Sequence, residues 1–319
     1  MLTRRHFLAV SATTAAASRV CAQPAPWRTV ELVTRVEALK PAGTTRIWVP
    51  LAAETAYQQV RANNFKTDSG SAVLVERPED NLSFVSAEFP EGTRPLLTVT
   101  TRVSTRDCAV DLAKPARPER PGSLAHFLRP TRLIPTDGIV KETADQIVRG
   151  APTPLARARA IYEWIVENTA RNPKTRGCGL GDIRFMLESR DLTGKCADLN
   201  ALYVGLARAA GLPARDVYGI RTVPSTLGYK SLGASSAAVT KSQHCRAEVW
   251  LDNFGWVPVD PADVRKVALE EPPGNPRSTT TWSAAPAPAC SAHGKETGWP
   301  TILLTTSLSP APRAAPSRS

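Results

Sequence analysis

The sequence predicts an α+β protein, with an N-terminal β-sandwich followed by helices packed on an antiparallel sheet. Residues 27–112 hold short runs rich in Val, Thr, Trp and Leu, separated by turn residues. Residues 153–213 carry two apolar patterns at helical spacing, and residues 243–259 return to strand character around a hairpin signal. At 319 residues the chain is long for one domain and comfortable for two. Its 42% hydrophobic content suffices for a sizeable core and excludes wholesale disorder.

The first 22 residues read as an export signal rather than part of the fold. Arg4-Arg5 precedes a short apolar, Ala-rich run, and Val20-Cys21-Ala22 offers small residues for cleavage before Gln23. The run is too short to span a bilayer, and the paired arginines resemble a twin-arginine signal. The expected destination is the periplasm, the expected carrier is the twin-arginine export machinery, and no membrane anchor is expected after cleavage. The net charge of +11 is spread thinly: Arg4, Arg5 and Arg19 leave with the signal, and the remaining basic residues alternate with acids. No basic stripe or aromatic–basic motif is present, so nucleic acid is not an expected partner.

Within 23–112 the expected strands are Trp27–Val36, Arg46–Leu51, Ala72–Glu76, Leu82–Glu88 and Leu96–Val103, separated by turns such as Lys40-Pro41-Ala42-Gly43. Nothing catalytic stands out there, so a structural or substrate-presenting role is expected. Residues 113–134 form a linker whose first part, 113–123, is Pro-rich and expected to be extended. The domain that follows, 135–270, opens its first clear helix with Thr153-Pro154, a capping hydroxyl before a Pro at the first helical position. Leu155, Ala158, Ile161, Tyr162, Ile165 and Val166 continue it to about Asn168. After a loop containing Gly177, Gly179 and Gly181, a short helix is expected at Ile183–Glu188. Leu199, Leu202, Tyr203, Leu206 and Ala210 then mark a helix that starts at or just before Cys196 and stops at Gly211-Leu212-Pro213. Strands are expected at Arg215–Arg221, Gln243–Leu251 and Trp256–Val259. From 271 to 319 the sequence is rich in Pro, Ser and Thr and is expected to be disordered, Thr301-Ile302-Leu303-Leu304 being its one apolar run.

Six cysteines suggest disulfides, but losing Cys21 leaves an odd set: Cys108, Cys178, Cys196, Cys245 and Cys290. No C-x-x-C or H-E-x-x-H spacing occurs, so neither metal nor cofactor is expected. A lone helical cysteine is more often a small buried hydrophobe than a nucleophile. Cys196, however, opens a helix, where the dipole and unpaired N–H groups favour a thiolate, and Gly194-Lys195 before it adds close approach and a cation. Its partner must be a histidine. After the signal only His126, His244 and His293 remain, and His293 lies in the tail. His244 shares a strand face with Arg246, Glu248 and Trp250, while Cys245 points to the opposite face, away from the catalytic pair, and is expected to be a buried free thiol. Asp260, after the next strand, could accept the imidazole N–H and fix its tautomer. A four-residue turn at 252–255 would pair Leu251 with Trp256, placing His244 opposite Asp263 and Asp260 opposite Ala247. Asp260 then reaches His244 only through a slip or bulge, for which Pro258 offers a place.

Gly194-Lys195-Cys196-Ala197-Asp198, the run Leu206–Arg215, His244 with Ala247-Glu248-Val249-Trp250, and Gly255-Trp256-Val257-Pro258-Val259-Asp260-Pro261 together resemble the transglutaminase-like superfamily. The resemblance covers residues 135–265. It implies a papain-like core with Cys196 as nucleophile, His244 as base and Asp260 as orienting acid. It further implies a thiol-dependent amide hydrolase or peptidase acting on a peptide or protein amide. The alternatives are protein-glutamine γ-glutamyl transfer, which the lack of an Asp-rich calcium loop weakens, and a binding module that has lost activity. No Trp or Gln lies between Arg171 and Lys195 to stabilise an oxyanion, so the Cys196 N–H is the expected donor, with Asn172 or Arg176 as possible helpers.

Overall fold

The computed structural model describes residues 26–271, except 107, 109, 117, 119–121, 226–228 and 235, together with the backbone of 301–305. The expected signal peptide lies outside the described residues.

Six strands build the N-terminal part: β1 (Arg28–Glu37), β2 (Thr45–Pro50), β3 (Gln58–Thr67), β4 (Ser71–Arg77), β5 (Leu82–Phe89) and β6 (Leu96–Thr105). They form two antiparallel three-stranded sheets, β1-β6-β3 and β2-β5-β4. Alternate residues of the two sheets meet in one core: Ile47, Val49, Val85, Ala87 and Phe89 from one, Leu97 and Val99 from the other. β3 is the strand the sequence reading lacks. Most of its QQVRANNFKT residues are exposed, so it carries no apolar alternation, and pairing with β6 alone makes it a strand.

The second part contains α1 (Gly138–Ile147), α2 (Pro154–Asn168), β7 (Ala170–Arg171), α3 (Ile183–Ser189), β8 (Thr193–Gly194), α4 (Cys196–Ala209), β9 (Ala214–Arg221), β10 (Gln243–Leu251), β11 (Gly255–Val259) and α5 (Pro261–Glu270). Thr153 caps α2 by accepting a hydrogen bond from the Ala156 N–H. α4 is the hub. Every residue from Cys196 to Arg208 is buried, a pattern that only a helix enclosed on all sides can sustain. Fully buried Leu199, Leu202 and Leu206 each contribute roughly 1.5–3 kcal/mol relative to exposure. α1, α2, α3 and α5 pack around it, and β10 covers its remaining face.

β12 (Thr301–Thr305) pairs with the edge of β9, giving a sheet in the order β11-β10-β9-β12. The expectation of disorder from 271 onward is therefore corrected for this apolar run, because β9 offers it an unpaired edge. The rest of that tail lies outside the described residues. The linker is not isolated from the fold either. The Ala116 N–H donates to the Asn253 carbonyl at 2.7 Å, and Phe127 is buried edge-on against Trp256.

The two parts are joined through charged groups. On β10 the side chains of Arg246 and Glu248 point away from α4 yet are buried, because Tyr57 of the sandwich covers them. The Tyr57 hydroxyl donates to Glu248 Oε1 at 2.7 Å and accepts from Arg246 Nη2 at 2.7 Å. Arg215 forks onto Glu248 Oε2 at 2.7 and 2.9 Å and lies over the Trp256 ring at 4.1 Å. Glu248 is only 1% exposed, and its two arginines overcome the burial that would otherwise raise its pKa, holding it below the ordinary range. Removing it strands two cations and a hydroxyl. Glu248→Ala should therefore lower stability by about 3–5 kcal/mol, read as a drop in the thermal midpoint. A shift equivalent to less than about 1 kcal/mol, the level of an exposed pair, would show that the network is not holding the junction.

Candidate active site

The site lies where the first turn of α4 meets the start of β10. Three features of the sequence hold it there. Asp198, in the first turn of α4, is buried and accepts three backbone N–H groups: Lys195 on Oδ2, and Leu180 and Gly181 on Oδ1, each at 2.9 Å. This staples the glycine loop to the helix start. The staple needs glycine beside it: Gly179 has φ +104°, and a Cβ there would lie 1.9 Å from Asp198 Oδ2. Asn200, fully buried one turn on, donates to the Cys245 carbonyl at 2.6 Å and to Asp260 Oδ1 at 3.2 Å, tying α4 to both β10 and the start of α5.

Asp260 reaches His244 through a one-residue slip from the expected register and through the cap of α5, with no bulge. The β10–β11 ladder is regular but one residue away from the expected register, pairing Leu251 with Gly255 and Ala247 with Val259. Gly255 belongs to the strand rather than the turn, and its φ of +77° suits that tight corner. Asp260 then leaves the ladder as the N-cap of α5, accepting the Asp263 N–H at 3.1 Å through Oδ1. Its other oxygen, Oδ2, lies 2.5 Å from His244 Nε2. Pro258 carries no bulge; helix capping does what a bulge was expected to do.

His244 is buried between two carboxylates, with Asp263 Oδ2 at 3.7 Å beyond Asp260. Burial and the Arg221 charge lower its pKa, but Asp263 and Asp260 outweigh them and raise it to about 9. Asp263 is ion-paired with Arg221; burial alone would raise its pKa, and Arg221 and His244 hold it down at about 2. With Nε2 taken by Asp260, Nδ1 is the nitrogen left for Cys196. The Cys196 thiol is held well below its ordinary range by hydrogen bonds from Cys178 and Cys245, then by the hydrogen bond and charge of His244. The other two thiols shift the opposite way. Cys178 rises to about 11 because its hydrogen bond favours the thiolate on Cys196, and Cys245 rises through its hydrogen bonds to Cys178 first and Cys196 second, with burial adding to both.

Cys245 is a buried free thiol as expected, but its direction is a correction. Its sulfur lies within 4.8 Å of those of Cys178 and Cys196. Strand alternation does send it to the face opposite Arg246 and Glu248, and that face carries α4, whose first residue is Cys196. Among the described residues, two groups have donor atoms close enough to hold a metal ion, the three thiols and His244 with Asp260 and Asp263. The first would take a soft cation; the second already spends its carboxylates on Arg221, His244 and the α5 cap.

The remaining expectations divide. Ala197 gives its N–H to the Cys178 carbonyl and Lys195 gives its own to Asp198. The Cys196 N–H has no protein acceptor among the described residues, which leaves it available to an oxyanion. Asn172 and Arg176 do not line the cleft around Cys196 and His244. His126 is elsewhere, 2.9 Å from Asp80, and His293 is outside the described residues. The Asp198 staple yields a direct test. Asp198→Asn places an NH2 against the Lys195 N–H or the loop donors and should cost about 1.5–3 kcal/mol, with a matching loss of Cys196 reactivity. Gly179→Ala should do likewise. Wild-type melting and wild-type Cys196 alkylation in both variants would remove the staple from the account.

With this geometry in hand, comparison with known proteins is informative. Residues 141–261 match the model of the transglutaminase-like superfamily. An uncharacterized protein of Haemophilus influenzae is 37% identical over 245 residues, 72% of this chain and 66% of that protein; the chain thus spans just under two thirds of that relative's length. Among solved structures, a candidate cysteine protease from Cytophaga hutchinsonii superposes with a TM-score of 0.56 at 17% identity, over 74% of this chain and 79% of that one. That likeness is one of fold. The periplasmic domain of TgpA from Pseudomonas aeruginosa overlaps more loosely, with a TM-score of 0.36 at 17% identity, over 77% and 83% of the two chains. Residues 141–261 therefore carry a transglutaminase-like superfamily domain.

Proposed function

We propose that this protein is an exported thiol enzyme that cleaves amide bonds in peptides or proteins through an acyl-thioester on Cys196. The observation that carries the reading is the buried His244–Asp260 pair, 2.5 Å apart, set beside a thiol at the first position of a helix. The Cys196 thiolate attacks the amide carbon and a C–S bond forms. The carbonyl oxygen becomes an oxyanion, to which the Cys196 N–H donates. Protonated His244 gives its Nδ1 proton to the amide nitrogen, the C–N bond breaks and the amine leaves. Neutral His244 then takes a proton from water, the resulting hydroxide attacks the thioester carbon, and the C–S bond breaks to return the thiolate. Asp260 keeps the imidazole upright throughout, and Asp263 adds charge that favours its protonated form. The Arg4-Arg5 signal supports export, and among the described residues no helix is long and apolar enough to cross a membrane.

Iodoacetamide at mildly acidic pH separates this reading from a fold retained only for binding. Cys196 should label rapidly, while Cys108, Cys178 and Cys245, whose pKa values are all raised, label slowly. Cys196→Ala should abolish the fast phase; equal labelling of wild type and variant would contradict the nucleophile. The pH dependence has a definite sign. Amide turnover should fall as pH rises through about 9, because neutral His244 has no proton for the leaving nitrogen, whereas labelling should not fall. Stability follows the same group: the contribution of charged His244 is fully present below its ordinary 6.5 and is lost as pH rises through about 9. With a Gln peptide and a primary amine, ammonia release without amine incorporation is the expected outcome, and incorporation would mark acyl transfer instead.

A further inference from the structure

The cleft above Cys196 has a volume of about 370 Å³ and a lining of one dominant charge sign. Arg171, Lys195, Arg221, Lys241 and Lys266 line it, against the single carboxylate of Asp263. Three of these cations are already engaged. Arg221 is paired with Asp263, Arg171 with Glu270 at 2.7 Å, and Lys266 with the Ser231 carbonyl and, at 3.9 Å, Glu270. Lys195 and Lys241 have no carboxylate partner among the described residues. Lys195 directly precedes the nucleophile, Lys241 stands on the segment leading into His244, and both line the cleft that holds the two reacting side chains. The Cys196–His244 pair is neutral as a whole when both are ionised. His244 also answers to Asp260, so with Asp263 paired to Arg221 the buried ions leave one negative charge; the two free lysines exceed it, and a concave, low-dielectric cleft concentrates the positive field that remains.

We infer that the cleft selects amide substrates bearing a carboxylate close to the scissile bond, with Lys195 and Lys241 as the recognising cations. This rests on the reading of Cys196 as the nucleophile. A lysine ammonium is a point charge on a flexible stem and accepts a carboxylate without fixed geometry. The class therefore includes both an acidic side chain and a free chain terminus.

Two alkylating reagents of nearly the same size test this without knowledge of the natural substrate: iodoacetate, which carries the carboxylate, and iodoacetamide, which does not. Both meet the same thiolate, so the ratio of their rates at Cys196 cancels any change in thiolate content. Normalised to a short neutral cysteine peptide, the ratio should exceed one at low salt. It should fall about threefold or more in the Lys195→Gln/Lys241→Gln double variant, which keeps the His244 charge. It should persist in Lys195→Arg/Lys241→Arg. It should also collapse between about 0.01 M and about 1 M salt, as the screening length drops from about 30 Å to about 3 Å. A reactive Cys196 whose ratio ignores both lysines and salt overturns this inference alone. A Cys196 no faster than the peptide thiol with either reagent overturns the nucleophile reading and this inference with it. Two blocked peptides locate the carboxylate, one with a Glu side chain and an amidated end, the other with alanines and a free C-terminus. Protection of Cys196 by the first assigns a side chain and by the second a terminus, while protection by neither at millimolar concentration counts against the inference.

Discussion

Everything at the site depends on keeping the N-terminus of α4 against the first residues of β10. A helix start is a place of unpaired N–H groups and positive dipole, and burying one is costly unless each donor finds an acceptor. Asp198 answers for the Lys195 N–H while also gripping the Leu180 and Gly181 donors of the loop, and Cys178 accepts from Ala197. The Cys196 N–H, with no protein acceptor among the described residues, lies at the point where a negative charge would form. Asn200 completes the junction from within the helix by bonding the Cys245 carbonyl and Asp260 together. The same backbone economy that stabilises the helix start thus positions both sulfur and imidazole.

Charge at the site follows from burial with compensation. His244 and Asp260 sit nearly out of contact with solvent, where an isolated ion would give up its charge. Asp263 and Arg221 form a second pair beside them, so the buried set alternates in sign: Asp260, His244, Asp263, Arg221. That alternation raises His244, while the hydrogen bonds of Cys178 and Cys245, followed by the hydrogen bond and charge of His244, lower Cys196, reversing the usual order in which a thiol gives up its proton after an imidazole. Outward from this set the excess is positive. The buried Tyr57–Arg246–Glu248–Arg215 group serves the junction between sandwich and core.

Much of this was legible in the chain because some signals are local. Thr153-Pro154 marks the start of α2, and the spacing of Leu199, Leu202 and Leu206 marks α4. The run Gln243–Leu251 was bounded correctly as a strand. Cys196, His244 and Asp260 are far apart in the chain, and the fold sets them side by side. What escaped was set by packing rather than pattern. β3 is polar and exposed, and nothing in its residues announces a strand. Asp198 and Asn200 look like ordinary helix positions until the loop and β10 are brought to them. Arg221 and Asp263 meet only across the fold, and the direction of Cys245 depends on which face of the sheet α4 covers. Asp260-Pro261 repeats the cap-then-proline signature of Thr153-Pro154. Read that way it predicts α5 and brings Asp260 to His244 without any bulge.

The claim on which the rest stands is that Cys196 and His244 form a thiolate–imidazolium pair in the resting protein. The ultraviolet absorbance of the thiolate, titrated as the difference between wild type and Cys196→Ser, measures it directly. The account predicts a thiolate signal fully present at neutral pH and lost only in acid, with the imidazole resonances of His244 remaining in their protonated position until pH approaches about 9. A difference signal that appears only as pH rises through the ordinary thiol range near 9.0, with His244 neutral below it, would contradict the account.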